Sequence, residues 1–315
     1  MAANKTLEGW QGQMSDVPPD TRPGPPRLRV GVVGTGRVGA VLGAALARAG
    51  HHVVAAYAVS DLSRLRAEAL LPAVPLVALD DVLAQSDLTL LTVPDDALAG
   101  LVAGLVEAGS IKPGKFLAHA SGRHGFGVLE PAMRVGALPL ALHPVMTFTG
   151  TSVDLARLDG TPFGVTAPDE LRPVAESLVV EMGGEPVWIA EDSRTRYHAA
   201  LAHGSNHLMT LVGQTLDVLT SAGVEDPARL IAPLLSASLD NSLRYGDHVL
   251  TGPVARGDAR TVAAHIEALG EVSAQAQSTY VALARATADR ALAAGVLRPE
   301  AAESLLDVLS GRNSR

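Results

Sequence analysis

The chain has 315 residues, of which 47% are hydrophobic, so it is long enough for two domains and too apolar for a disordered polypeptide. Its net charge of −8 argues against a nucleic-acid partner, whose phosphates require a basic protein face. No run approaches the ~18 apolar residues of a membrane helix, and no secretion signal starts the chain, so we expect a cytoplasmic protein without membrane contact. The absence of Cys excludes disulfides, thiol nucleophiles and cysteine-ligated metal.

The first 26 residues are predicted to be a disordered tail. They contain a cluster of prolines, from Pro18 to Pro26, among polar residues, and they show no hydrophobic period. Order is therefore expected to begin at Arg27.

From Leu28 onwards, short apolar runs alternate with helical periods, which is typical of a parallel sheet covered by helices. The predicted strands are Leu28–Val33, His52–Val59, Asp87–Val93, Phe116–Ala120 and Leu138–Leu142, with a weaker one at Pro75–Val77. Asp95 and Asp96 are candidate caps for the helix after the strand Asp87–Val93. A further strand–helix–strand unit over Phe163–Ile189 is expected to complete the sheet.

Beyond Glu191 the pattern becomes entirely helical. The predicted helices are Arg194–Ala222, Pro227–Tyr245, Arg260–Ala294 and Pro299–Leu309. The predicted fold is therefore α/β, with a Rossmann-type doubly wound parallel sheet over residues 27–190 and an all-helical domain over residues 191–315.

A glycine motif follows the first predicted strand and directly opens a helix. It consists of Gly34, Thr35, Gly36, Arg37, Val38 and Gly39, which match the pattern G-x-G-x-x-G. In this context the first glycine permits a tight turn, the second lets the backbone approach a pyrophosphate, and the third lets helix and strand pack closely. All six residues are predicted to bind a dinucleotide at the helix N-terminus.

The residues at the end of the second strand determine whether NAD or NADP is preferred. A carboxylate there would bind the ribose of NAD, whereas cations and hydroxyls would hold the 2′-phosphate of NADP. The sequence offers Ser60, Asp61, Arg64 and Arg66. We favour NADP, held by Ser60 and Arg64, with NAD as the alternative, and a plain helix cap at Ser60 or Asp61 fits equally well.

Two further segments reach the carboxyl edge of the predicted sheet, where α/β proteins bind ligands. Val93 and Pro94 end one strand, and Ser121 with Gly122 follows the next. We predict that Val93, Pro94 and Ser121 contact the cofactor. His119 is either part of this site or a buried strand histidine.

Seven motifs occur in the same order as in a known protein family. They are Gly34–Gly39, Val93–Asp95, His119–Gly122, Leu142–Val145, Tyr197–Ala200, Ser205–Asn206 and Thr251–Asp258. Over residues 27–310 the chain resembles bacterial Rossmann-like NAD(P)-dependent oxidoreductases with a C-terminal helical domain of unknown function, some of which are similar to an alternative type of ketopantoate reductase. More distantly, it is similar to pyrroline-5-carboxylate reductase and to the 6-phosphogluconate dehydrogenase superfamily. The resemblance implies a cleft between the domains and a homodimer formed through the helices.

Ketopantoate reductases carry Lys-x-x-x-Asn-x-x-x-Asn on the first long helix of the second domain, and the matching positions here are His198, Ala202 and Asn206. His198 and Asn206 are two turns apart and about 80° around a helix, so both can face one cleft. We predict that His198 protonates the alkoxide formed by hydride transfer and that Asn206 hydrogen-bonds the substrate. A histidine satisfied near the domain boundary is equally consistent.

Four more residues are predicted to bind the substrate, namely His143, Thr251, Arg256 and Asp258. Arg256 can bind a carboxylate with both arms of its guanidinium, whereas Asp258 also fits a helix cap. His143 follows the last strand of the first half, in a loop that lies near the nicotinamide in related enzymes. His203 and His207 are one turn apart, but they lack a third ligand, so no metal site is predicted.

These observations favour an NADPH-dependent reductase of a small, carboxylate-bearing carbonyl compound, with ketopantoate to pantoate in pantothenate biosynthesis as the leading reaction. An imine reductase of the pyrroline-5-carboxylate reductase type is one alternative. The other is a protein without catalytic activity that binds NAD(P) and reports its redox state to a partner.

Overall fold

The computed structural model describes residues 27–311, so the predicted tail at residues 1–26 lies outside the described residues. The chain divides after Ala200 into two compact units, whereas the predicted boundary is near residue 190.

The first unit is built on a seven-stranded sheet. Its strands are β1 (Arg29–Val33), β2 (His52–Tyr57), β3 (Leu88–Leu91), β4 (Phe116–His119), β5 (Leu138–Pro144), β6 (Pro162–Thr166) and β7 (Glu185–Trp188). Their order across the sheet is β2-β1-β3-β4-β5-β6-β7, and all neighbours are parallel except β5 and β6, which are antiparallel. The predicted Rossmann-type sheet is thus confirmed, with one reversed pair.

Seven helices accompany these strands and form a layer on each face of the sheet. They are α1 (Arg37–Arg48), α2 (Asp61–Leu70), α3 (Leu79–Gln85), α4 (Asp95–Glu107), α5 (Glu130–Arg134), α6 (Val153–Arg157) and α7 (Arg172–Glu181). Successive residues of a strand point to opposite faces. Val32 of β1 therefore packs with α1 and α7, whereas Val33 packs with α3 and α4.

Several local predictions for this unit are corrected by the structure. The weak strand at Pro75–Val77 is reduced to one bridge between Leu76 and Ala56, since Pro75 has no N–H for a ladder. Asp95 and Asp96 lie inside the first turn of α4, whose cap is Pro94, so they face the helix dipole without capping it. Strand β5 runs on to Pro144, which places His143 within the strand and not in the following loop.

The remaining helices are α8 (Arg194–Ser221), α9 (Pro227–Tyr245), α10 (Gly252–Arg256), α11 (Ala259–Val272), α12 (Ala274–Ala293) and α13 (Pro299–Leu309). Helix α8 starts in the first unit and continues into the second, whose core is formed by α10 to α13. Within residues 27–311, no helix is long and apolar enough to cross a membrane.

One prediction for the helical part is wrong. The helix expected over Arg260–Ala294 is two helices, because Ser273 is extended and its hydroxyl accepts a hydrogen bond from the N–H of Ala276. The segment Thr251–Asp258 contains the short helix α10, which is followed by Gly257 with a left-handed φ of 74°.

Candidate functional site

The glycine motif forms the tight turn between β1 and α1. Gly34 has a φ of +93°, which only glycine adopts readily, and a Cβ on Gly39 would overlap the carbonyl oxygen of Gly34 and the hydroxyl of Thr92. A Cβ on Gly36, by contrast, would meet no atom within 4 Å. The backbone conformation requires glycine at position 34, and close packing requires it at position 39. Gly36 borders open space.

That open space adjoins the N-terminus of α1. Gly36 is the N-cap of the helix, no side chain caps it, and the first turn holds no acidic residue. Its first N–H groups are thus available to an anionic group, and the positive end of the helix dipole favours one. The arrangement fits the pyrophosphate of a dinucleotide.

Two threonines hold the glycine turn in place. Thr35 is fully buried, and its hydroxyl donates to the carbonyl of Ser63 at 2.8 Å. The hydroxyl of Thr92, just after β3, lies 2.6 Å from the carbonyl oxygen of Gly34. The Thr35 side chain therefore fixes the turn from within and is not free for the cofactor, and Thr92 is a supporting residue that the sequence analysis missed.

At the end of β2, Ser60 is the N-cap of α2. Its hydroxyl accepts a hydrogen bond from the N–H of Ser63 at 3.2 Å, as the capping alternative predicts. Asp61 and Arg64 are exposed in the first turn, and Arg66 is half-buried. Both arginines lack an ion pair within residues 27–311.

The structure brings Arg66 close to the start of α1. A Cβ on Gly150 would lie 2.7 Å from Nε of Arg66 and 3.1 Å from Cα of Arg37, so the backbone at Gly150 is flanked by both arginine residues. Asp154 is fully buried and holds this segment, because its carboxylate accepts the N–H groups of Thr149 at 2.8 Å and Gly150 at 2.7 Å. Neither Arg66 nor Gly150 was among the predicted site residues.

Val93 and Pro94 follow β3 next to the glycine turn, and a Cβ on Gly34 would lie 3.5 Å from a methyl carbon of Val93. Ser121 follows β4 and is buried, with its hydroxyl accepting the N–H of His124 at 3.1 Å. The Ser121 hydroxyl thus stabilises its own turn.

His119, at the end of β4, is a buried strand histidine. Its Nε2 donates to the carbonyl of Gly125 at 2.9 Å, and its Nδ1 accepts the N–H of Ser121 at 3.2 Å. Burial lowers the pKa of His119 from 6.5 to about 4, so the ring is neutral near pH 7. The two ring nitrogens of His119 thus hold the turn after β4 at Ser121 and at Gly125.

A second histidine, His143 on β5, lies among polar rings from the start of α8. Its Nδ1 is 2.8 Å from the hydroxyl of Tyr197, and its ring centroid is 6.4 Å from that of His198. Burial and then the charge of Arg194 lower the pKa of His143 to about 4. Together with Gly122, whose Cβ would touch both imidazoles, these residues form what we call the imidazole cluster: Gly122, His143, Tyr197 and His198.

Arg194, the first residue of α8, ties this cluster to the sheet. It is 1% exposed, and its Nε donates to the hydroxyl of Thr166 at 2.7 Å. Its two terminal nitrogens donate to the carbonyls of Ser121 at 3.5 Å, Ala141 at 3.2 Å and Gly164 at 3.0 Å. This buried cation has no carboxylate within 4.0 Å among the described residues, and the sequence analysis did not identify it.

The predicted site residues of the second unit are largely exposed. Asn206 on α8 and Arg256 at the end of α10 are exposed, and Arg256 has no ion pair within residues 27–311. Thr251 precedes α10 and makes no cap with its side chain. The carboxylate of Asp258 caps α11 through the N–H of Thr261 at 3.1 Å and its hydroxyl at 2.7 Å, and these hydrogen bonds lower its pKa.

His203 and His207 lie together, with their Nδ1 atoms 2.8 Å apart. In the part of the chain that the structure describes, no group of three or more His, Asp or Glu side chains is placed to hold a metal ion.

Comparisons with solved structures agree with this fold. A protein from Bacteroides fragilis assigned as an NADP oxidoreductase is 20% identical, with a TM-score of 0.69 over 84% of this chain and 98% of that chain. A reductive aminase from Aspergillus terreus, in complex with NADPH and ethyl-5-oxohexanoate, is 18% identical, with a TM-score of 0.63 over 89% and 99%. An imine reductase from Pseudomonas sp. is 18% identical, with a TM-score of 0.65 over 90% and 100%. At such identities the likeness establishes the fold alone.

Family comparisons cover both halves of the chain. Residues 14–144 match the Rossmann-like domain, and residues 161–287 match a domain of unknown function, DUF2520. No curated protein gives a significant match. Both matches agree with the resemblance inferred from the seven motifs. The chain therefore combines a Rossmann-like domain with a C-terminal domain of the DUF2520 family.

Proposed function

We propose that this protein is an NADPH-dependent oxidoreductase that reduces a small carbonyl compound or an imine. The observation that carries the proposal is the open space at Gly36, which adjoins the uncapped N-terminus of α1 and fits a pyrophosphate. The imidazole cluster at the carboxyl edge of β4 and β5 supplies groups that can exchange a proton with a substrate. When bound, the nicotinamide would supply the hydride.

Ketopantoate is our leading substrate because of the resemblance to ketopantoate reductases. An imine is the second candidate, since solved structures of similar fold include a reductive aminase and imine reductases. The test is to follow the absorbance of NADPH with ketopantoate, with a cyclic imine and with no substrate. Loss of absorbance with either substrate supports a reductase. NADPH binding without turnover of any carbonyl or imine contradicts it and favours a redox sensor.

The cofactor preference gives a first specific prediction. We expect NADPH to bind more tightly than NADH, because Arg64 and Arg66 carry positive charges without ion pairs near the capped start of α2. Arg64→Ala and Arg66→Ala should each reduce the ratio of the NADH and NADPH dissociation constants by about tenfold, which is about 1.4 kcal/mol. Fluorescence titration of both cofactors measures this.

The control is Arg48→Ala, which removes an exposed cation from the opposite end of α1 and should leave the preference unchanged. If NADH binds more tightly to the wild type, and Asp61→Ala abolishes that preference, Asp61 selects the cofactor and the assignment of NADP is wrong.

The proposed roles of the second unit give another prediction. Arg256 would bind a substrate carboxylate, Asn206 would hydrogen-bond the reacting oxygen, and Thr251 and Asp258 would border the substrate. Arg256→Ala should raise KM by about ten- to a hundredfold, since a charge-assisted pair contributes about 1.5–3 kcal/mol. Asn206→Ala should mainly lower kcat, because its hydrogen bond strengthens as charge develops on the oxygen.

Steady-state kinetics measures both effects, with cofactor affinity determined separately. Arg260→Ala removes an exposed cation from the first turn of α11 and serves as the matched control. Normal KM in Arg256→Ala would exclude the carboxylate contact.

We also propose a homodimer formed through the helical unit. Helix α9 has no buried residue and exposes Leu230, Leu234, Leu239 and Leu243 at 52–79%. An apolar surface of this kind marks an interaction site in a folded protein. Sedimentation equilibrium of the full chain tests whether two copies associate.

A further inference from the structure

A hydrogen bond joins Tyr197 to one ring nitrogen of His143. The Tyr197 hydroxyl lies 2.8 Å from Nδ1 and has no other hydrogen-bond partner within residues 27–311. In the tautomer on which the proposal below is based, the hydroxyl donates its proton to Nδ1. Since the imidazole is neutral near pH 7, its own proton then resides on Nε2. His143 thus presents an N–H donor on the side away from Tyr197.

That donor points to the carboxyl edge of the sheet. Nε2 of His143 has no hydrogen-bond partner among the described residues, and a Cβ on Gly122 would lie 2.8 Å from it. Gly122 follows β4 at the edge where open α/β sheets bind ligands. The Nε2–H group therefore lies beside Gly122, at the edge of the sheet where the proposed function requires a substrate oxygen or nitrogen.

A positive charge lies near the far end of the pair, at Tyr197. The guanidinium carbon of Arg194 lies 5.7 Å from the centroid of the Tyr197 ring, and this cation has no carboxylate partner in the described residues. Burial raises the pKa of Tyr197, and the charge of Arg194 opposes that rise. Arg194 therefore offsets part of the cost that burial imposes on a phenolate at Tyr197, whose pKa stays above its usual value. The charged and titratable groups near His143 are Arg194, His198 and Asp95.

We propose that Tyr197 and His143 form a proton relay for the reduction, an inference that rests on the proposed function. As hydride adds to the carbonyl carbon, the π electron pair moves to the oxygen, which takes the proton from Nε2 of His143. The proton of Tyr197 moves to Nδ1, so the imidazole stays neutral and the phenolate forms beside Arg194. Solvent then supplies a proton to Nε2, and the proton on Nδ1 returns to the Tyr197 oxygen, which restores the first tautomer. For an imine, the nitrogen takes the place of the oxygen.

In this relay His143 is the catalytic residue, and Tyr197 acts through it. Tyr197→Phe should lower kcat at least about tenfold, with KM and NADPH affinity unchanged. The imidazole of His143 can still donate its Nε2 proton, but it no longer receives a proton from the Tyr197 hydroxyl. The alkaline limb of the kcat–pH profile, set by Tyr197, should also disappear. The matched control is Tyr280→Phe, which removes the same type of bond to Nδ1 of His265 in the second unit and should leave kcat unchanged.

A readout independent of turnover is the tautomer itself. Nitrogen NMR of the protein alone should show His143 protonated at Nε2, and Tyr197→Phe should release this preference. Ultraviolet titration of the wild type against Tyr197→Phe isolates the pKa of Tyr197, and Arg194→Met should raise it. A proton on Nδ1 in the wild type, or a normal kcat in Tyr197→Phe, overturns the relay.

Two other outcomes are distinguishable. If His198→Gln abolishes turnover while Tyr197→Phe does not affect it, His198 is the proton donor and the relay is overturned. If the wild type binds NADPH but reduces no carbonyl or imine, the proposed function fails and the relay fails with it.

Discussion

Replacement of Gly36 by Val is expected to weaken NADPH binding more than a hundredfold, or about 2.7 kcal/mol, while the fold persists. Gly36 has an extended backbone with φ at −70°, which Val adopts easily, and a side chain there meets no protein atom within 4 Å. The added atoms would fill the space proposed for the pyrophosphate. Calorimetric titration with NADPH, together with thermal unfolding, measures both quantities.

Gly39→Ala is the converse variant. Its Cβ would overlap the Gly34 carbonyl and the Thr92 hydroxyl. The substitution should therefore lower the free energy of unfolding by about 3 kcal/mol. Gly100→Ala, at an exposed position of α4 with no atom nearby, is the control and should stabilise the helix slightly. If Gly36→Val binds NADPH normally in a well-folded protein, the turn does not hold a dinucleotide.

Acidification from pH 6.5 to 4 is expected to destabilise the first unit by roughly 3 kcal/mol for each of two histidines, the buried His119 and the half-buried His143. Burial lowers the pKa of His119 and of His143 from 6.5 to about 4 in the folded protein. The unfolded chain therefore binds more protons than the folded one in this window. The stabilisation is complete above the unfolded pKa and is lost as the pH falls toward the folded value.

Urea unfolding at several pH values measures this loss. In a plot of the free energy of unfolding against pH, His119→Gln should lower the slope by the equivalent of about one proton. The control variant is His52→Gln, which changes an exposed histidine of β2. Equal slopes in the wild type and in His119→Gln would show that His119 titrates alike in both states.

The features that the sequence predicts well are those with a local physical cause. The turn at Gly34–Gly39 follows from glycine chemistry between a strand and a helix, and three of the predicted helices match because Pro, Gly and the apolar period mark their ends. The break at Ser273 was missed because the helical period continues across it. A single extended residue interrupts the backbone there without changing the pattern of apolar side chains.

The features that were missed join residues far apart in the chain. Tyr197 meets His143 across 54 positions, and Arg194 meets Ser121 across 73, so no local pattern records either contact. A motif placed Tyr197 beside His198 but did not indicate its partner. The same limit applies to Arg66, whose neighbour at Gly150 becomes visible only when the sheet is folded.

The way Arg194 is bound has a consequence for how this architecture can be divided or recombined. Its guanidinium supplies donors to carbonyls in the turn after β4, in β5 and in β6, yet it belongs to the first turn of a helix that continues into the other unit. A fragment ending at residue 190 would lose those donors, whereas one ending after Ala200 would keep them. The smallest transferable module is thus the sheet together with the opening turns of α8, and gene fusions joined upstream of Arg194 should yield poorly folded chimeras.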